Sequence, residues 1–174
     1  GLMHMAIGQT FVEADMRYIV DDGIPPVMYI DWPEQEHNAH VPKYENQRVK
    51  IENGRDKKDA FNLATHGFAF VNHKTTVQNF YDDNDVTAVC YPEVQALIKK
   101  YTKCNQVLVF DHTIRSADDA IVEKYGVRQP VKAVHNDYTE KSAPQRVRDL
   151  LPEDEAERVL LRRYAIIQLW RPIK

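Results

Sequence analysis

Hydrophobic and polar residues alternate along several short stretches of the chain. Between Thr10 and Val20 the apolar positions recur at every second residue, which is typical of a strand with one buried face. The same period, or a short apolar run, predicts seven strands: Thr10–Val20, Val27–Trp32, Gln47–Glu52, Gly67–Asn72, Gln106–Thr113, Val131–Tyr138 and Tyr164–Trp170. Residues 33–46 are polar and bounded by prolines, which predicts a loop.

Three stretches have helical periodicity instead. They are Asp83–Tyr101, Ser116–Tyr125 and Ser142–Arg163. Pro92 lies inside the first and predicts a kink or a break, and Pro152 divides the third into two parts. Ser116 is the expected N-cap of the second helix, because its hydroxyl can accept from a backbone N–H of the first turn.

Strands outnumber helices in this order of elements, and the helices come in a block between strands. The order predicts an α+β fold, or a β-sandwich or barrel with helical insertions. We expect one domain over residues 1–174, with residues 1–66 as loosely ordered strands and loops. The last strand is apolar on both faces and its edge is nearly uncharged, which favours a homodimer or a complementing chain across that edge.

The composition of the chain limits the classes of molecule that it is expected to bind. The chain has 174 residues, a net charge of −3 and two cysteines, Cys90 and Cys104. This mild acidity argues against a nucleic-acid binder and a polybasic membrane anchor. No apolar run approaches the ~20 residues that span a bilayer, and we see no signal peptide. We therefore expect a cytoplasmic protein with reduced thiols.

The most informative short motif is His135-Asn136-Asp137. On a strand, residues two apart point to the same face, so an imidazole and a carboxylate would project together. These are two members of the 2-His-1-carboxylate triad, which holds Fe(II) on one side and leaves the other side open for chemistry. Taken alone the motif is weak, and a solvent-facing or capping pair is the preferred explanation for it.

Longer segments around this motif resemble a known family. HNDYT, PQRVRDLLP and WRPI follow one another from His135 onward, and GFAFVNHKTTVQNFYDD, YPEVQALIKKYT and VLVFDHTIR precede them. Together they resemble the hydroxylase/desaturase family of fungal and bacterial secondary metabolism, which includes the accessory component of cephem 7-methoxylation and gibberellin-desaturase-like proteins. The resemblance runs from about Phe68 to the last residue and more loosely upstream.

The resemblance implies a double-stranded β-helix (jelly-roll) core, Fe(II), and 2-oxoglutarate as cosubstrate. His135 and Asp137 would be the first two iron ligands. In the family the last histidine ligand and the arginine that pairs with 2-oxoglutarate lie downstream of WRPI. We therefore expect this chain to correspond to the amino-terminal part of a longer member, with an incomplete iron site of its own.

Further residues are candidates for contacts at this site. Gln168 and Trp170 share one face of the last strand, where the amide would bond a cosubstrate carboxylate and the indole would line the pocket. Arg115 would bind a carboxylate through both nitrogens. The alternatives without a role in binding are packing in the core for Trp170 and a solvated position at a strand end for Arg115.

The candidate substrate contacts are His112, Tyr138 and Arg146. His112 would serve equally well as a hydrogen-bonded residue at the rim of the core. Arg146 lies in PQRVRDLLP with Arg148, and the alternative for both is a solvated helix face near acidic residues.

Two functions compete, together with a weaker third. The first is an Fe(II)/2-oxoglutarate-dependent oxygenase that hydroxylates, desaturates or cyclises a small secondary-metabolite intermediate. The second is a non-catalytic accessory or partner subunit with an incomplete metal site. The third, a cupin-like Zn or Ni protein without redox function, has little support in the residues.

Overall fold

The computed structural model of the chain describes residues 10–27 and 32–173. These residues fall into two compact units. The first contains residues up to 71 together with 130–135, and the second contains 72–129 and 136 onward. The single domain expected from the sequence stays a prediction.

The first unit is built on a two-stranded antiparallel sheet of β1 (Phe11–Ile19) and β2 (Tyr44–Glu52). The period-two pattern of β1 is confirmed: its buried Ala14 lies opposite Val49, and the outward positions are exposed. A 3₁₀ helix, Pro33–Asn38, and the first residues of β2 occupy the predicted loop. Most of the predicted strand Val27–Trp32 lies outside the described residues.

An aromatic cluster follows β2, after the 3₁₀ helix Gly54–Ala60 and around the short helix α1 (Leu63–His66). Phe61 lies 4.6 Å from Phe68 and 6.0 Å from Phe70, ring centre to ring centre. The Phe70 ring passes close to Gly54, where an added Cβ would lie 3.1 Å from it. A side chain at position 54 would therefore require the Phe70 ring to move by a few tenths of an ångström.

The second unit holds the longer helices. The predicted helix Asp83–Tyr101 consists of α2 (Asp83–Asp85), a π-helical turn (Val86–Cys90) and α3 (Tyr91–Thr102). The irregularity predicted at Pro92 is confirmed, since Pro92 is the second residue of α3, which directly follows the π turn. Proline has no N–H to donate to the preceding turn, and wider turns occur where the α-helical hydrogen bonds are interrupted.

Three further helices complete this unit. They are α4 (Asp119–Tyr125), α5 (Ser142–Leu150) and α6 (Glu153–Leu160), so the break predicted at Pro152 is confirmed. The expected N-cap Ser116 is wrong. Asp118 caps α4 by accepting from the Ala120 N–H at 2.9 Å, while the Ser116 hydroxyl accepts from the Asp118 N–H.

Four predicted strands form no ladder in the described part of the chain: Gly67–Asn72, Gln106–Thr113, Val131–Tyr138 and Tyr164–Trp170. Their composition suits strands, but a ladder also needs a paired partner, and Val131–Tyr138 has a single bridge between Ala133 and Arg17. The jelly-roll core therefore stays a prediction. No helix among the described residues is long and apolar enough to cross a membrane.

Candidate functional site

A line of three polar side chains ends at the Asp137 carboxylate, within the second unit. The Gln168 Nε2 donates to Asp137 Oδ2, and the Trp170 Nε1 donates to Gln168 Oε1 at 3.3 Å. The amide therefore orients one carboxylate oxygen, and donation to the charged form favours the anion. Gln168 and Trp170 lie on the same side of the final segment, as their two-residue spacing predicts.

Trp170 does not pack in a core. Its side chain is 78% exposed, so the alternative of core packing is wrong for the part of the chain that the structure describes. The residues around it form no strand ladder that would cover the indole. Its contact with 2-oxoglutarate stays a prediction, as does that of Gln168.

His135 lies in the first unit and is oriented by its own backbone. Its Nδ1 lies 2.8 Å from the Ala133 carbonyl oxygen. Because a carbonyl only accepts, Nδ1 carries the proton of this hydrogen bond. A ring nitrogen that donates to a carbonyl in this way is the usual support of a metal-binding histidine.

The donor set fits two of three positions of an iron triad. His135 supplies a neutral imidazole and Asp137 a carboxylate, which are the ligand types that non-haem Fe(II) takes. Within residues 10–27 and 32–173, no three His, Cys, Asp or Glu side chains are grouped closely enough to hold a metal ion. The chain bends at Asp137, so the shared face predicted for the pair stays a prediction.

Both ring nitrogens of His112 are engaged. Nδ1 lies 2.8 Å from the Tyr91 hydroxyl, and Nε2 lies 3.1 Å from Asp83 Oδ1. A neutral ring satisfies both contacts by donating from Nε2 to the carboxylate and accepting from the phenol. Burial, followed by nearby acidic groups, raises the pKa of Tyr91, which keeps the phenol protonated. These contacts favour the hydrogen-bonded alternative for His112.

The arginines of the candidate list differ in their partners. Arg115 donates through Nη1 to the Gln129 carbonyl at 2.9 Å, and this hydrogen bond links two chain segments that are 14 residues apart. Arg148 pairs through Nε with Glu157 Oε1 at 3.0 Å. Arg146 lies over the ring of Phe110, with its guanidinium carbon 5.0 Å from the ring centre. Tyr138 is half-buried.

One polar group was missed by sequence reasoning. Arg171, in the WRPI motif, donates to the His73 carbonyl oxygen at 3.1 Å and to His73 Nδ1 at 2.5 Å. Glu93 accepts from the Thr75 hydroxyl at 2.5 Å and from the Thr76 N–H at 3.1 Å. Burial opposes the charged form of Glu93, but these hydrogen bonds and the nearby His73 and Arg171 outweigh it and lower its pKa.

Comparison with known proteins places the chain in a family. A family profile described as "Oxidoreductase/YMDC permease-like domain" matches residues 16–174, which is most of the chain. The solved structure of the iron and alpha-ketoglutarate-dependent endoperoxidase NvfI is similar, with a TM-score of 0.70 and 27% identity. That match covers 88% of this chain and 57% of NvfI. The two comparisons therefore assign the chain to a class of oxidoreductases that is related to NvfI.

Curated relatives agree with that class. Hydroxylase/desaturase CTB9 of Cercospora beticola is 36% identical over 143 residues, which are 76% of this chain and 44% of CTB9. The Fe(II)/2-oxoglutarate-dependent dioxygenase nvfI of Aspergillus novofumigatus is 28% identical over 97% of this chain and 62% of its own length. An uncharacterized protein in the dcmA 3′ region of Methylophilus leisingeri is 26% identical over 94% of this chain and 92% of its own length.

The chain belongs to this oxidoreductase family, whose members include proteins named hydroxylase/desaturase and Fe(II)/2-oxoglutarate-dependent dioxygenase. The resemblance seen in the sequence motifs is thereby confirmed. The chain spans about half the length of CTB9 and of NvfI.

Proposed function

We propose that this chain contributes iron ligands to a non-haem Fe(II)/2-oxoglutarate-dependent oxygenase, a hydroxylase or desaturase of a small secondary-metabolite intermediate. The observation that carries the proposal is the His135-x-Asp137 pair in a chain of this family, with both side chains held by hydrogen bonds. The jelly-roll core belongs to the same proposal. Its support is the likeness to an iron and alpha-ketoglutarate-dependent endoperoxidase.

In this proposal His135 binds iron through Nε2. The Ala133 carbonyl holds the proton on Nδ1, so the ring need not change tautomer when the metal arrives. The hydrogen bond also limits rotation of the ring. The third ligand has to come from elsewhere.

Asp137 supplies the negative charge of the ligand set. The Gln168 amide holds one oxygen of its carboxylate, and the Trp170 indole holds the amide. Supports of this kind orient a ligating carboxylate and raise metal affinity. When bound, Fe(II) and 2-oxoglutarate would together activate dioxygen, which is the oxidant for the cleavage of an unactivated C–H bond.

The remaining candidates are placed around this pair as proposals. Arg115, Gln168 and Trp170 would contact the cosubstrate, and His112 and Tyr138 the substrate. Gln168 would serve both groups, since its amide nitrogen has two protons and Asp137 takes one of them. His112 would have to break a contact with Tyr91 or Asp83 first, which makes it the weakest member of this set.

Anaerobic Fe(II) titration, followed by NMR line broadening with and without 2-oxoglutarate, tests the proposal. We expect the paramagnetic broadening to centre on His135 and Asp137 and to disappear in His135→Ala and Asp137→Asn. The matched control is His37→Ala, an exposed histidine in a different part of the chain, which should leave the broadening unchanged. Broadening that centres on other histidines instead of the pair would refute the proposal.

A further inference from the structure

Two arginines of α5 have opposite surroundings. Arg146 and Arg148 are two residues apart, so they point about 200° apart around the helix axis. Arg148 faces α6 and pairs with Glu157 at 3.0 Å, where both side chains are about half exposed. Its charge is therefore matched by a partner on the neighbouring helix.

Arg146 has no such partner within the described residues. Its Nε is inaccessible to solvent and makes no hydrogen bond there. The nearest acidic side chain on its own helix, Asp149, accepts instead from Gln145 Nε2 at 2.9 Å. One face of the guanidinium lies against the Phe110 ring, 5.0 Å from its centre. The ring offers cation–π attraction but no hydrogen-bond acceptor.

A buried N–H of a charged group without an acceptor is rare in folded proteins and calls for a physical explanation. Contact with the Phe110 ring restrains the guanidinium, and because Nε is inaccessible to solvent, the edge formed by the two Nη groups is the place for a ligand. That edge presents parallel N–H donors whose spacing matches the two oxygens of a carboxylate. Arg146 is thus preorganised for a planar anion, and Arg148 is not.

We propose that Arg146, held by Phe110, binds the carboxylate of a small-molecule ligand. The inference deepens the proposed function, on which the choice of a small molecule rests, by naming the chemistry of the ligand. It requires no iron, so it can be tested separately. The carboxylate belongs either to the 2-oxoglutarate cosubstrate or to an organic acid substrate.

The experiment follows the arginine Nε–H resonances of the metal-free chain by NMR during titration with propionate, succinate and 2-oxoglutarate, with chloride at matched ionic strength. We expect the chemical shift of one Nε–H resonance to change and to reach a plateau as the carboxylate is added. The spectrum of Arg146→Lys should lack this resonance, which assigns it to Arg146. Arg146→Gln should weaken binding at least about tenfold, because it loses both the positive charge and the pair of parallel N–H donors. Phe110→Leu should weaken it less.

The matched control is Arg148→Gln, which should bind each carboxylate as the unaltered chain does. Saturation by succinate and 2-oxoglutarate but not propionate assigns the site to the dicarboxylate cosubstrate. Saturation by propionate as well assigns it to a simple carboxylate of the substrate. The proposal is overturned if the Arg146 resonance does not respond, if chloride gives the same response, or if Arg148→Gln is equally impaired. Each result stands whether or not iron binds at His135.

Discussion

Replacing Gln168 with alanine removes the amide that donates to the Asp137 carboxylate. A hydrogen bond to a charged acceptor is worth about 1.5–3 kcal/mol where water is excluded. Both side chains are exposed, so water competes for the carboxylate and we expect about 1 kcal/mol. Since 1.4 kcal/mol corresponds to a tenfold change in affinity, Gln168→Ala should weaken Fe(II) binding roughly fivefold.

The assay is the anaerobic Fe(II) titration, with the apparent Kd taken from line broadening at His135. Gln129→Ala is a matched control, because the Gln129 amide donates to the Asp119 carboxylate at 3.1 Å in another part of the same unit. This variant loses the same kind of hydrogen bond but should bind iron unchanged. Trp170→Phe loses only the 3.3 Å bond to the amide and should weaken binding about twofold or less.

Two results would contradict this reasoning. If Gln168→Ala binds iron as tightly as the unaltered chain while Asp137→Asn does not bind it, the amide does not support the ligand. If Gln129→Ala loses as much affinity as Gln168→Ala, the effect is a general loss of stability. Urea unfolding of each variant separates that second outcome from a change at the site.

Four further variants test the structural account through urea unfolding. Asp118→Ala removes the N-cap of α4 and should cost about 1 kcal/mol of stability, whereas Ser116→Ala should cost less. Gly54→Ala puts a methyl group 3.1 Å from the Phe70 ring and should cost about 1–3 kcal/mol; no loss would mean that the ring moves aside. Glu93 has a lowered pKa when folded, so its stabilisation is present above its unfolded pKa and is lost as pH falls through the folded value. Glu93→Gln should therefore destabilise the chain at pH 7 and flatten the loss of stability in acid, and equal acid slopes would contradict this.

Local signals in the sequence predicted local structure well. Three predictions of this kind are confirmed: the alternation in β1, the break at Pro152 and the irregularity at Pro92. Each depends only on residues that are close together in the sequence. The cap of α4 shows the limit, because Ser116 and Asp118 are both good N-cap residues. The Ser116 backbone N–H bonds the Arg128 carbonyl, and this distant contact moves the start of the helix to Asp119.

Strand pairing and polar contacts between distant residues could not be predicted in this way. Gln106–Thr113 and Tyr164–Trp170 have the composition of strands, yet pairing depends on a second segment that their own residues do not specify. The contacts of His112 with Tyr91 and Asp83 join residues 21 and 29 positions apart. No spacing rule connects such positions, so only the fold could bring them together.

The contacts also rank candidates that residue type alone leaves equal. Four arginines lie in segments that resemble the family, and three of them are engaged: Arg115 with a carbonyl, Arg148 with Glu157 and Arg171 with His73. A ligand that recruited one of these would first have to break an existing hydrogen bond, and the net gain would be the difference between the two contacts. Within the described residues Arg146 lies over the Phe110 ring and its Nε makes no hydrogen bond, so a carboxylate there would not have to displace a protein partner. The same reasoning favours Gln168, whose amide already holds Asp137 and still has one proton to donate, over His112, both of whose nitrogens are used.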